Sequence, residues 1–324
     1  MATLTYAQAG KQALADAMRK DPSVWALGED LGRGGVFGQY AGLQAEFGAK
    51  RIVDTPISEA AIMGAAVGAA MMNTRPVVEM RFSDFALCAI DELVNQAAKA
   101  RYMFGGQTRV PMVAREPVGM WRASAAQHSQ SLESWYTHIP GLVVVMPSTP
   151  ADNYGLLTSA IECDDPVVYM EHKGLWLLEG EVTQLVEGIP LGKANCVRPG
   201  SDLTVLTWSS MVHECAKAAE ALAASGVEAE VIDLRTLWPW DRDTVLESVA
   251  RTGRALIVHE AVKVGGFGAE LAASINEALF KELKAPVRRL APPRALIAYS
   301  PPLERQVRID SEQVCQAIRA LLDD

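Results

Sequence analysis

Apolar residues recur along this chain in two rhythms. Over residues 5–20 they fall at helical spacing, with Ala9, Leu14 and Met18 among them and Thr5 placed as a cap. VWALGED then reads as a short buried strand, and Gly32 to Gly38 as a glycine-rich loop. Next, the apolar runs RPVVEMRF, VPMVARE, GLVVVMPS and DPVVYMEH alternate with helical stretches at 59–72, 89–103 and 151–162. Strands separated by helices in this way predict α/β layers around a mostly parallel sheet.

From Gly174 to Gly192 the periodicity is lost among glycines, Pro190 and scattered acids, which reads as an interdomain linker. A second series follows. LTVLTWS, AEVIDLRTL and RALIVHE are strands, 211–225, 241–251 and 268–283 are helices, and APVRRLAPP is an edge strand ending in prolines. The expectation is two doubly wound α/β domains, residues 1–185 and 186–324.

The 324 residues, 49% of them hydrophobic, supply core enough for two domains. The net charge of −9, without basic blocks, speaks against nucleic acid or an anionic membrane as partner. The most apolar stretch, AAIMGAAVGAAMM, falls short of the ~20 residues that span a bilayer. Five cysteines with no C-x-x-C pair predict reduced thiols and a cytoplasmic setting.

Standard motifs are missing. GIPLGK at 188–193 is too short for a P-loop and is followed by alanine. GGFGAE at 265–270 sits between strand and helix, but it lacks the dinucleotide spacing and reads as a tight turn. There is no G-x-S-x-G, no H-E-x-x-H and no Cys/His cluster, so hydrolase and zinc chemistry start weak.

Three segments carry more. DTPISEAAIMGAAVGAA sets one acid, Glu59, on the first turn of a nearly uncharged helix rich in alanine and glycine. An ordinary first-turn acid and a desolvated, proton-exchanging one both fit this pattern. The small residues predict a deeply packed helix, or one at a subunit interface. RFSDFALCAIDELVNQAAKARYMFGG couples Phe82 and Phe85 to a helix, and such aromatics form either core or a platform for a flat heterocycle. SAAQHSQSLESWYTHIPG puts His128 in a polar loop before a helix, where idle and catalytic readings are balanced.

Together these segments resemble the beta subunit of the thiamine-diphosphate-dependent dehydrogenase component of 2-oxo acid dehydrogenase complexes, the pyruvate, branched-chain and acetoin enzymes. The words that carry the resemblance include KRIVDTPISEAAI, NQAAKARYMFGG, AAQHSQS, HIPGLVVVMPSTP, DDPVVYMEHK, VIDLRTLWPWD, GGFGAELAA and YSPPLE, and they run from about residue 4 to 320. RYMFGG, AAQHSQSL and EHK resemble the acetoin branch most. GGFGAE resembles the pyruvate and branched-chain branches.

The resemblance implies a transketolase-like pyrimidine-binding domain followed by a transketolase-type C-terminal domain. It implies that Glu59 hydrogen-bonds the cofactor's pyrimidine nitrogen, with Phe85 stacking on that ring and Ile57 and Arg81 beside it. His128 matches the loop histidine that handles the intermediate and its passage to a lipoyl arm. The superfamily's G-D-G segment for diphosphate and Mg2+ is missing, which implies that an alpha subunit holds that end in an alpha2-beta2 heterotetramer. Backbone carbonyls of Met112, Ala160, Cys163 and Asp165 match a structural K+ site. Implied partners are the alpha subunit, a lipoyl-bearing acyltransferase and a small 2-oxo acid or acyloin.

Three departures bear on substrate. Arg81 replaces an uncharged residue, Trp121 and Arg122 replace small ones, and APPRA at 291–295 replaces an acidic segment. Arg81 or Arg122 would suit an extra anionic group on the substrate. The alternatives are the C-terminal half of a split transketolase acting on sugar phosphates, which AAQHSQS fits poorly, and a non-enzymatic relict, against which Glu59 speaks.

Overall fold

A computed structural model of the chain describes residues 2–183 and 188–323, so the joint expected near residue 185 lies outside the described residues. Two compact units emerge: Met1–Val118 with Trp135–Leu191, and Gly119–Ser134 with Gly192–Asp324.

The first unit contains strands β1 (Ala2–Thr5), β2 (Val24–Gly28), β3 (Ile52–Asp54), β4 (Arg75–Glu79), β5 (Val113–Val118), β6 (Val143–Val145), β7 (Val167–His172) and β8 (Glu179–Val182). Strands β6-β7-β5-β4-β2-β3 lie side by side in that order, all parallel. β1 and β8 form a separate antiparallel pair. That pair falls outside the elements expected above, because four-residue strands with mixed polarity carry no readable period.

Helix Tyr6–Lys20 begins with the predicted cap: Thr5 Oγ1 accepts from the Gln8 amide at 3.2 Å, and Gln8 Oε1 accepts from the Thr5 amide at 2.9 Å. Its buried stripe, Ala9, Ala13, Leu14 and Met18, shares one core with Leu156, Leu157, Ala160 and Ile161 of helix Pro150–Glu162. Gly10 permits this close packing, since a Cβ there would sit 2.9 Å from Asn153 Nδ2. The expected helix at 89–103 is interrupted instead. A π-helical stretch, Glu92–Ala97, precedes the α-helix Ala98–Met103, and an inserted residue of that kind leaves no mark in a hydrophobic period. Helix Glu59–Met71 buries Ile62, Met63, Ala66, Val67 and Ala70, while Ala60, Ala61, Ala65 and Gly68 are exposed. Deep packing therefore holds for one face only within its own unit.

An ion network fixes the centre of this sheet. Arg115 on β5 is fully buried, and it donates to Glu171 on β7 through Nε at 2.8 Å and Nη2 at 2.9 Å. Its Nη1 donates to the Tyr40 hydroxyl at 3.1 Å, which in turn donates to Glu79 on β4 at 3.0 Å. Asn153 Nδ2 adds a donor to Glu171 at 3.0 Å. One cation faces two carboxylates, and burial pushes Glu79 up to about 7 despite Arg115.

The second unit contains β9 (Asn195–Arg198), β10 (Leu203–Thr207), β11 (Ala229–Asp233), β12 (Thr236–Trp238), β13 (Ala255–Val258) and β14 (Arg288–Leu290). Its sheet has the order β14-β13-β10-β11-β9, parallel except for β9. The predicted edge strand is β14. Helices Met211–Ala223 and Ser311–Asp323 pack over it, burying Cys215, Ala218, Leu222, Val314, Ile318 and Leu321.

Arg115→Met will strand Glu171 in the core and cost on the order of 3–5 kcal/mol. Urea unfolding of the purified chain measures it, and removing Glu171 as well (R115M/E171M) will recover much of the loss.

Candidate functional site

In the first unit the chain winds from β2 outward to β3, then returns to β4 on the other side of β2. Such a reversal opens a crevice at the carboxyl ends of β2 and β4, the usual ligand position in an open α/β sheet. The two strands approach closely there, for a Cβ on Gly28 would lie 2.7 Å from the Glu79 carbonyl oxygen.

The residues that follow these strand ends are Glu29 and Asp30 after β2, and Arg81 and Phe82 after β4. Arg81 forks between the acids, with Nη1 to Glu29 at 3.2 Å and Nη2 to Asp30 at 3.0 Å. Asp30 holds φ at 59°, in the left-handed region. Burial raises the Glu29 carboxyl above its ordinary value; Arg81 opposes this, and the charge of Glu59 adds to it. Glu59 thus acts electrostatically on the same cluster. It opens helix Glu59–Met71 after Pro56, Ile57 and Ser58; Ile57 is exposed and Glu59 half-buried.

An aromatic wall adjoins the cluster. Phe85, half-buried on the short turn Ser83–Ala86, meets Phe82 edge-on at 5.4 Å. Phe82 meets Phe37 of the glycine loop at 6.0 Å, and Phe37 lies 4.4 Å from Trp176. The ammonium of buried Lys173 sits 4.8 Å from the Phe82 ring centre. Beneath this wall, Ser83 Oγ donates to Glu116 at 3.1 Å, and burial pushes Glu116 up to about 8. Glu29, Phe37, Glu116, Lys173 and Trp176 are absent from the sequence-based site. Glu29, Glu116 and Lys173 left a trace, as charged residues at the ends of apolar runs.

His128 belongs to the second unit, in the segment Gly119–Ser134. It is half-buried and precedes helix Glu133–Thr137. Arg122, Ala123 and Ala125 take φ of 51°, 52° and 64°. The Arg122 guanidinium stacks on Trp121, 4.5 Å from the ring centre. Both cations considered for substrate recognition therefore have intramolecular partners already, Arg81 in an ion pair and Arg122 over an indole.

Of the four carbonyls matched to a potassium site, three accept hydrogen bonds within the chain. Met112 O receives the Val167 amide at 2.9 Å, Ala160 O the Cys163 amide at 3.3 Å, and Cys163 O the Arg75 guanidinium at 2.9 Å. Each keeps a second lone pair. The Asp165 side chain pairs with Arg101 at 2.9 Å. Among the described residues, no group of three or more His, Cys, Asp or Glu is arranged to hold a metal ion.

Two family models match the chain. The transketolase pyrimidine-binding domain matches residues 2–177, and the transketolase C-terminal domain matches residues 192–314. The chain is 46% identical to the acetoin:2,6-dichlorophenolindophenol oxidoreductase subunit beta of Cupriavidus necator, across 95% of this chain and 94% of that protein. It is 41% identical to the 2-oxoisovalerate dehydrogenase subunit beta of Bacillus subtilis over the whole of both. The chain belongs to the beta-subunit family of the 2-oxo acid and acetoin dehydrogenases. The same species' pyruvate dehydrogenase E1 component subunit beta is 43% identical over 93% of each chain, so the family's three branches are almost equally near. Among solved structures, a split-gene transketolase described as an inactive beta4 tetramer superposes with a TM-score of 0.81 at 21% identity, across 99% of this chain and 98% of that one. That likeness shows the fold of this chain alone.

Because Glu116 is raised above the ~4.3 of an unfolded glutamate, folding takes up a proton, and stability falls as pH rises through that window to about 8. Glu116→Gln will remove this drift, so its stability relative to wild type will rise by about 2 kcal/mol between pH 6 and 8.5 in urea titrations.

Proposed function

We propose that the chain is the beta subunit of a thiamine-diphosphate-dependent dehydrogenase that decarboxylates a small 2-oxo acid, or cleaves an acyloin such as acetoin, and passes the acyl group to a lipoyl carrier. The observation that carries the reading is the acid cluster at the first unit's switch point. Glu59, Glu29 and Arg81 are electrostatically coupled there, beside an aromatic wall that ends in Phe85. A flat, cationic heterocycle suits such a place: the carboxylates complement its charge and the phenyl rings its faces.

When bound, thiamine diphosphate supplies the carbanion chemistry. In this reading Glu59 holds a proton at the pyrimidine ring nitrogen. Phe85 orients the ring, Ile57 covers it, and Arg81 pairs with Glu29 and Asp30 beside it. His128 carries the proton needed on the substrate side. The diphosphate and magnesium are held mainly by an alpha subunit in an alpha2-beta2 assembly, consistent with the beta-subunit names of the relatives. The carbonyls of Met112, Ala160, Cys163 and Asp165 hold potassium. The lipoyl group arrives on an acyltransferase component. All five cysteines are free, which suits a reducing cytoplasm, and among the described residues no helix is long and apolar enough to cross a membrane.

Mixed with its alpha subunit and thiamine diphosphate, the chain will reduce an artificial electron acceptor with acetoin or a short 2-oxo acid, and alone it will not. Glu59→Gln will lower kcat about 100-fold or more. Turnover by the isolated chain, or full activity of E59Q, overturns the reading.

A further inference from the structure

The second unit has a switch point of its own. From β10 the chain moves to β11 on one side and later to β13 on the other, leaving a crevice at the carboxyl ends of β10 and β13. Thr207, Trp208 and Ser209 line one side of it, and Val258, His259 and Glu260 the other. Two bonds join these strand ends to segment Gly119–Ser134, which carries His128. Glu260 Oε1 accepts the Met120 amide at 2.7 Å, and Trp208 Nε1 donates to Glu133 Oε1 at 3.3 Å. Glu133 and Trp208 are buried. Trp208 is held by stacking on His259 at 5.3 Å with an 11° tilt and by an edge contact with Phe267 at 6.1 Å. The Gly119 amide closes the base of the loop on Gln130 O at 3.3 Å.

Between the two tethers the backbone is strained. Arg122, Ala123 and Ala125 all lie in the left-handed region, at about 1–3 kcal/mol for each non-glycine residue. Such a conformation persists only where its surroundings over-determine it. The His128 amide turns back on Ala125 O at 3.4 Å, so the strained stretch leads directly into the histidine.

We propose that the second unit's switch-point crevice is a receptor for this loop rather than for a diffusible ligand, and that Trp208 and Glu260 are positioning residues for His128. The proposal rests on the reading of His128 as the substrate-side proton carrier.

The test uses the assembled complex with thiamine diphosphate. Amide hydrogen exchange is followed across Gly119–Ser134, and kcat and cofactor affinity are measured with an artificial electron acceptor. Glu260→Ala will accelerate loop exchange about tenfold or more. It will lower kcat by about the same factor without weakening cofactor binding. Glu260→Gln, whose amide oxygen accepts the same bond, will restore both. Trp208→Phe, which keeps the stack and loses the indole N–H, will loosen the Glu133 end of the loop, and it carries the test if E260A fails to assemble. Unchanged loop exchange in E260A and W208F overturns the tether. A loosened loop with full kcat, while His128→Ala is impaired, overturns the positioning role. Full activity of H128A overturns the reading of His128 and the kinetic half of the proposal with it, and exchange then decides the tether.

Discussion

A single guanidinium holds the first unit's sheet in register. Arg115 has no exposed surface, and its two carboxylate partners come from the strands on either side, Glu79 on β4 and Glu171 on β7. An ion buried this way gains little over a well-packed apolar cluster, yet losing one member leaves an unmatched charge in the core. Its stronger effect is on alignment. A slip of one residue in any of the three strands would turn a charged side chain to the opposite face of the sheet. The site inherits this constraint, because Arg81 and Phe82 follow β4, Glu116 lies on β5, and Lys173 follows β7. Burial raises Glu79 above its ordinary value, with Arg115 opposing the shift and Glu171 adding to it, which is the cost of setting two acids around one cation.

Both units place left-handed residues where the winding of the sheet reverses, besides Asn73 and Arg235, which lie elsewhere. Asp30 is left-handed at the end of β2, Ser209 at 55° just beyond β10, and the three strained residues before His128 belong to the loop tethered at that second crevice. Helical or extended backbone would pass these points at lower cost. The chain instead holds local strain beside buried ion pairs and stacked rings that fix each end. In the first unit the crevice gathers acids and aromatics. In the second it takes a segment of the same chain, so one topological feature serves two purposes.

The legible part of the sequence was the part governed by period. Apolar runs such as VVYMEH and LTVLTWS became parallel strands β7 and β10, and the Thr5 cap is visible as T-x-x-Q before an apolar stripe. The C-terminal helix Ser311–Asp323 sets Val314, Ile318 and Leu321 on one face, an amphipathic signal that stands in the sequence although the expectations above omit it. What needed coordinates was contact between distant residues. Arg81 meets Glu29 only because β2 and β4 are neighbours, 52 positions apart in sequence. Glu260 likewise reaches Met120 across 140 positions. The resemblance pointed to Glu59, Phe85 and His128, but no spacing announced the residues that surround them.

Arg81 shows why that difference matters for function. Read in the sequence, a cation beside a cofactor pocket suggests a receptor for an anionic substrate. In the fold it lies between a buried glutamate and a strained aspartate, with a third carboxylate, Glu59, raising the cost of charge on the first. Three acids sharing one crevice repel, and without a cation the buried one would give up its charge by taking a proton. With Arg81 in place, Glu29 keeps an opposite charge at hydrogen-bond distance, and the field at Glu59 is that of a compensated cluster. With a neutral residue at 81, Glu29 would be driven further toward its protonated form. The pair is therefore best read as one unit, in which each charge makes the other tolerable in the crevice.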